Sequence, residues 1–177
     1  MIDKKTIAQV KAFARIDGAL LSLIWIASFV ITVMQPTNIL GQVLVLCTPF
    51  FVGWRLTKFR NNALGGIISF RRAYAYCFYT FIYAALIFAI VQYVYFRFLD
   101  QGRFMSMMVE TLNAVAPIYE KNGVPKEQID EVSKTIMKTS PAEMTFIFMI
   151  QNILVGLFTS ILIAAFCRNT ARREREF

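Results

Sequence analysis

Asp17 is an acid inside a stretch otherwise suited to hydrocarbon. Residues 16–34 read IDGALLSLIWIASFVITVM, with Gly18, Ser22, Ser28 and Thr32 as the remaining interruptions. An ionisable group at that depth is costly and is a functional candidate by default, with its partner to be named. The next apolar segment supplies one. If the two segments form a hairpin whose turn centres between Pro36 and Thr37, equal counting outward sets Asp17 opposite about residue 56 and brings Arg55 to nearly its depth. A structural ion pair is the expected arrangement. The alternatives are a carboxylate snorkelling unpartnered to the interface, and a proton or ion relay.

The stretch IISFRRAYAYCF, residues 67–78, raises a different question, because adjacent arginines against aromatic residues suit nucleic acid, an anion or the edge of a membrane span. The last reading is favoured. Arg71 and Arg72 are expected to anchor a span to lipid headgroups, with Tyr74, Tyr76 and Tyr79 forming an aromatic belt just inside. Basic residues are divided among three short segments rather than one groove, so nucleic acid is not an expected partner.

Catalytic sets are hard to assemble from the remaining residues. The chain has no histidine, which removes the commonest general base and metal ligand. Cys47, Cys77 and Cys167 lie in or beside apolar segments without CxxC spacing, so neither a zinc site nor a disulfide framework is expected. Lysines stand outside the spans, and Glu127, Asp130 and Glu131 are spaced as a solvated helix face. No catalytic, metal or cofactor site is expected, and the protein reads as a non-enzyme.

Asn152, Gly156, Ser160 and Ala164 recur every four residues, which lines up one narrow helix stripe permitting close approach of another helix. Gln92, on the face of Ala85 and Ala89, is a candidate counterpart. Packing within the chain and contact between copies in a homo-oligomer both fit this stripe.

These residues need elements to carry them. Hydrophobic residues make up 57% of the 177, with mean hydropathy +0.53, above the roughly 45–50% of soluble domains. A chain this short cannot cover that much apolar surface in one water-soluble core. Four spans are expected, over about 16–34, 39–56, 74–99 and 141–166. Nineteen residues from Ile16 to Met34 rise about 28 Å, close to the hydrocarbon thickness. Pro49 predicts a kink in the second span. Ser140-Pro141-Ala142-Glu143 predicts a capping box that starts the fourth near residue 141. The expected fold is an all-α polytopic membrane protein, a single four-helix domain over residues 1–177.

Basic residues orient it. Lys4, Lys5, Lys11 and Arg15 precede the first span. Arg55, Lys58, Arg60, Arg71 and Arg72 lie between the second and third, and Arg168, Arg172, Arg173 and Arg175 follow the fourth. The first connection has none, and the long third has six against seven acids. The positive-inside rule puts both termini in the cytoplasm. Residues 100–140 are then extracytoplasmic. Met108, Leu112, Val115 and Tyr119 mark a stripe ending near Asn122-Gly123, with Pro117 as a kink or stop; Ile129, Val132 and Ile136 mark a second helix after Pro125. Such a hairpin must lie on the membrane, pack on the spans or meet a protein through residues 104–138. Met105, Met107 and Met108 beside Phe104 suit an adaptable contact, or merely continue the third span into the interface.

The order of these features resembles a bacterial membrane-protein family catalogued as domain of unknown function 4199. The resemblance rests on the apolar hairpin, Ile68-Ser69-Phe70 before the third span, YVYFRFLD at residues 93–100, the charged helical connection, and a last span closed by basic residues. It covers about Ile16 to Arg173. It implies four spans in the cytoplasmic (inner) membrane of a bacterium with two membranes and a periplasmic connection, and no catalytic or ligand residue. The expected function is an accessory, assembly or interaction protein of the envelope. The alternative is a small oligomeric channel or transporter lined by Asp17, Gln92 and Asn152; a membrane enzyme would need a polar cleft of acids or lysines.

Overall fold

A computed structural model of the chain describes residues 4–35 and 38–169. The turn expected at Pro36 and Thr37 and the basic residues Arg172, Arg173 and Arg175 lie outside the described residues. All named elements are helices: α1 (Lys4–Met34), α2 (Ile39–Leu46), α3 (Thr48–Ala63), α4 (Phe70–Val94), a π-helical turn (Tyr95–Leu99), α5 (Arg103–Lys121), α6 (Lys126–Lys138) and α7 (Pro141–Cys167). Among the described residues four stretches are long and apolar enough to cross a membrane: Thr6–Met34, Ile39–Ala63, Phe70–Leu99 and Pro141–Cys167.

Three of the spans begin or end beyond their expected limits. α1 starts well before residue 16, because Val10 and Ala14 on its first turns are buried in the core. α4 starts at Phe70 and so takes Arg71 and Arg72 into its first turn. The second span runs on to Ala63 and is interrupted at Cys47 between α2 and α3. Pro49 sits in the first turn of α3, where it has no amide to donate back to the preceding turn.

The chain forms two compact units, Met1–Phe88 with Met149–Phe177, and Ala89–Phe148. In the first, small residues let helix backbones approach. A side chain at Gly18 would come within 2.8 Å of the Thr80 carbonyl on α4, and one at Gly156 on α7 within 2.5 Å of Phe81 Cβ. The Ser28 hydroxyl donates to the Gly41 carbonyl at 2.7 Å, joining α1 to α2. Leu21, Leu56, Tyr76 and Phe81 fill the space between. Arg72 donates to the Gln9 side chain at 2.6 Å, and Ile68 pairs with Asn169 in an isolated antiparallel bridge. The start of α1 and the end of α7 therefore lie at the same end of this unit.

The second unit is held by Phe96, Phe104 and Phe148, whose rings lie 5.4–6.0 Å apart. After the π-helical turn, Gln101 and Gly102 take left-handed conformations (φ 50° and 80°), and the buried Asp100 carboxylate accepts the Phe104 amide at 3.1 Å, capping α5. Pro117 neither ends nor stops α5, which continues to Lys121. Its surroundings are exposed, so water can serve the carbonyl that the proline leaves free. Both bonds of the capping box form: Glu143 accepts from the Ser140 amide at 2.8 Å, and Ser140 Oγ accepts from the Glu143 amide at 3.2 Å.

Candidate functional site

Three helices converge on Asp17. On α1, Gln9, Phe13 and Asp17 are spaced by four and share a face. α3 sets Arg55 and Phe59 one turn apart, and α4 sets Arg72 and Tyr76 likewise. Because α3 runs opposite to α1 and α4 runs with it, these pairs meet in layers. Outermost, Arg72 bonds Gln9. Next, Phe59 packs on Phe13 with ring centroids 4.9 Å apart and planes tilted by 47°, and stacks on Tyr76 at 4.8 Å with an interplanar angle of 7°. Innermost, Asp17 Oδ1 accepts from Arg55 Nε at 2.5 Å and pairs with its Nη2, while Oδ2 accepts from the Tyr76 hydroxyl.

Burial makes the cluster consequential. Asp17 is 2% exposed and Tyr76 0%, so the carboxylate is out of contact with solvent and depends on these donors. Both carboxylate oxygens are occupied, one by a guanidinium and one by a phenol. That arrangement neutralises the charge and fixes α1, α3 and α4 in one register. Arg55 also lies over the Trp54 ring at 5.5 Å, which Lys58 shares at 4.4 Å, an amphipathic group suited to a membrane interface.

Tyr76 departs from its expected place in an aromatic belt. It points into the core, whereas Tyr74 and Tyr79 are partly exposed and Lys11 lies 5.0 Å above the Tyr79 ring. Arg71 is exposed. Arg72 is half-buried, with its guanidinium 5.9 Å from the Phe59 centroid and its Nε without a partner among the described residues.

The α7 stripe faces inward for most of its length. Gly156, Ser160 and Ala164 are buried, Gly156 against Phe81 of α4, and the Ser160 hydroxyl turns back to the Gly156 carbonyl at 2.6 Å. Asn152 is only partly buried. Gln92 is 5% exposed within the second unit, with its Oε1 unpartnered among the described residues.

In the pair formed by α5 and α6, Leu112, Tyr119, Ile129 and Val132 line the seam between the two helices, where Ile129 is 5% exposed. Met107, Ile118 and Met137 are not among the residues lining it and are exposed. Of the stripe Met108, Leu112, Val115 and Tyr119 that periodicity indicates, Met108 and Tyr119 are exposed as well, so the free apolar surface of this pair includes residues both on and off the stripe.

No curated protein and no solved structure matches the chain. Over residues 17–169 it matches the family described as "Protein of unknown function (DUF4199)", and with most of its length inside that match the chain, with its four span-length apolar helices, belongs to this family.

Proposed function

We propose that this protein is a non-enzymatic component of a bacterial cytoplasmic (inner) membrane, with both termini in the cytoplasm, acting through contacts of its extracytoplasmic hairpin with another envelope protein. The observation that carries this reading is the exposure of Met107, Ile118 and Met137 (47%, 61% and 57%) on a charged hairpin outside the four apolar stretches. Flexible methionines beside other exposed apolar residues on a charged helical pair suit an adaptable contact. The distribution of lysine and arginine supports the orientation, and Arg71 and Arg72 remain the proposed headgroup anchors. Asp17, the charged group that a transport path would use, has both oxygens held by Arg55 and Tyr76, which favours a framework role over a relay.

A photo-crosslinking amino acid at Met107 or Ile118 in membranes tests the docking. A discrete adduct is expected from each position, and it should be lost when the other carries a charge, as in Ile118→Glu or Met107→Glu. Adducts to lipid alone would turn the hairpin into a membrane-lying element.

A further inference from the structure

A cavity of about 330 Å³ lies in the first unit, among α1, the break between α2 and α3, α4 and α7. Trp25, Phe29, Phe81 and Phe88 give it aromatic walls. At its mouth stand Val45, Leu46 and Val155, which are 52%, 70% and 57% exposed. In a membrane-spanning chain that opening meets lipid.

Four hydroxyls reach the lining, and each has a bond already. Ser28 donates to Gly41, Thr32 to the Ser28 carbonyl at 2.9 Å and Thr159 to the Val155 carbonyl at 2.7 Å, while Thr48 accepts from the Trp25 indole at 3.0 Å. Asn152 differs. It lines the same cavity, and its amide makes no hydrogen bond to any described residue.

The volume equals about eleven waters at roughly 30 Å³ each, but mostly apolar walls, whose hydroxyls each have a bond and whose one polar side chain without any is Asn152, do not suit a water cluster. A saturated lipid tail would match the walls and leave the amide unpaired in hydrocarbon, which is unfavourable. Both conditions are met by a chain that is oily along its length and bears one oxygen. Depth narrows it further. Asn152 lies about 17 Å along α7 from Pro141 at 1.5 Å per residue, roughly half of a 30 Å hydrocarbon core. The ester linkages of a bilayer lipid sit at the interface, too far out to reach it.

We propose that this cavity is a binding site for one acyl chain carrying a hydroxyl or keto oxygen along its length, with that oxygen hydrogen-bonded to the Asn152 amide. The chain enters laterally between α2 and α7, past Leu46 and Val155. This site is separate from the hairpin surface, and its occupancy does not depend on protein docking there.

The test uses the full-length protein in phospholipid nanodiscs, with a diazirine-bearing fatty acid as photolabel and peptide mapping of adducts. Competitors are a mid-chain hydroxy fatty acid and its unsubstituted parent of equal length. Adducts are expected at Leu46 and Val155, and the hydroxy acid should displace the label about tenfold more effectively than its parent, a difference of about 1.4 kcal/mol. Asn152→Leu should make the two competitors equal without abolishing labelling. Val155→Trp should block the mouth, whereas Phe158→Trp, at a lipid-exposed position outside the lining, should not; Leu46→Trp carries the same test if Val155→Trp does not fold. Labelling spread evenly over lipid-facing positions, or competitors equal in the unaltered protein, overturns the proposal. So does crosslinking between two copies through these residues, which would make the occupant a second copy.

Discussion

Asp17 is the residue on which the packing of three helices depends, because its buried carboxylate is held on one side by Arg55 and on the other by Tyr76. Removing one member should be worse than removing the pair. Arg55→Leu leaves a charge uncompensated, and unfolding in nanodiscs should show a loss of about 3–5 kcal/mol. Combining it with Asp17→Leu should return much of that loss, since two apolar side chains replace an ion pair. Tyr76→Phe keeps the stack on Phe59 and deletes only the hydroxyl, for an expected loss of about 1.5–3 kcal/mol as a bond to a charged acceptor. A double variant no more stable than Arg55→Leu alone would contradict this account. Arg55 was legible in the sequence because a short turn fixes the depth of each residue on the two arms it joins. Tyr76 was not. The connection from α3 to α4 sets no such register, and a tyrosine near a span end is as compatible with an interfacial belt as with a core hydrogen bond.

Elements meet where side chains are missing. Gly156 faces Phe81 with no space for a methyl group, whereas a side chain at Gly53 would make an ordinary contact, 3.6 Å from Cys167 Sγ. Gly156→Ala should therefore destabilise by about 1–3 kcal/mol through overpacking. Gly53→Ala should be neutral or gain up to about 1 kcal/mol from helix propensity. Comparing their melting temperatures in one detergent checks both signs. Runs of apolar residues made the four spans legible, and the capping box at Ser140 gave the start of α7 directly. Element limits were less legible. The first turns of α1 are polar enough to read as a tail, yet Val10 and Ala14 carry them into the core. In α5, Pro117 reads as a kink or a stop, and exposure lets the helix pass it without stopping. Amphipathic periodicity found α5 and α6 and the faces they share, because Leu112 and Tyr119 of one stripe line the seam with Ile129 and Val132 of the other, while the exposed Ile118 lies off both stripes.

Across the molecule, the two ends of the described chain meet the same segment: Gln9 bonds Arg72, and Asn169 pairs with Ile68. An even number of crossings follows naturally from that closure and from basic residues gathered around it. Asn62, in the last turn of α3, and Glu120, near the end of α5, are both exposed, and a four-span chain puts them on opposite faces of the membrane. The most direct test of that topology is labelling of Asn62→Cys and Glu120→Cys with a membrane-impermeant maleimide in intact spheroplasts. Glu120→Cys should react from outside, and Asn62→Cys only after permeabilisation. Equal reaction of both from one face would contradict it.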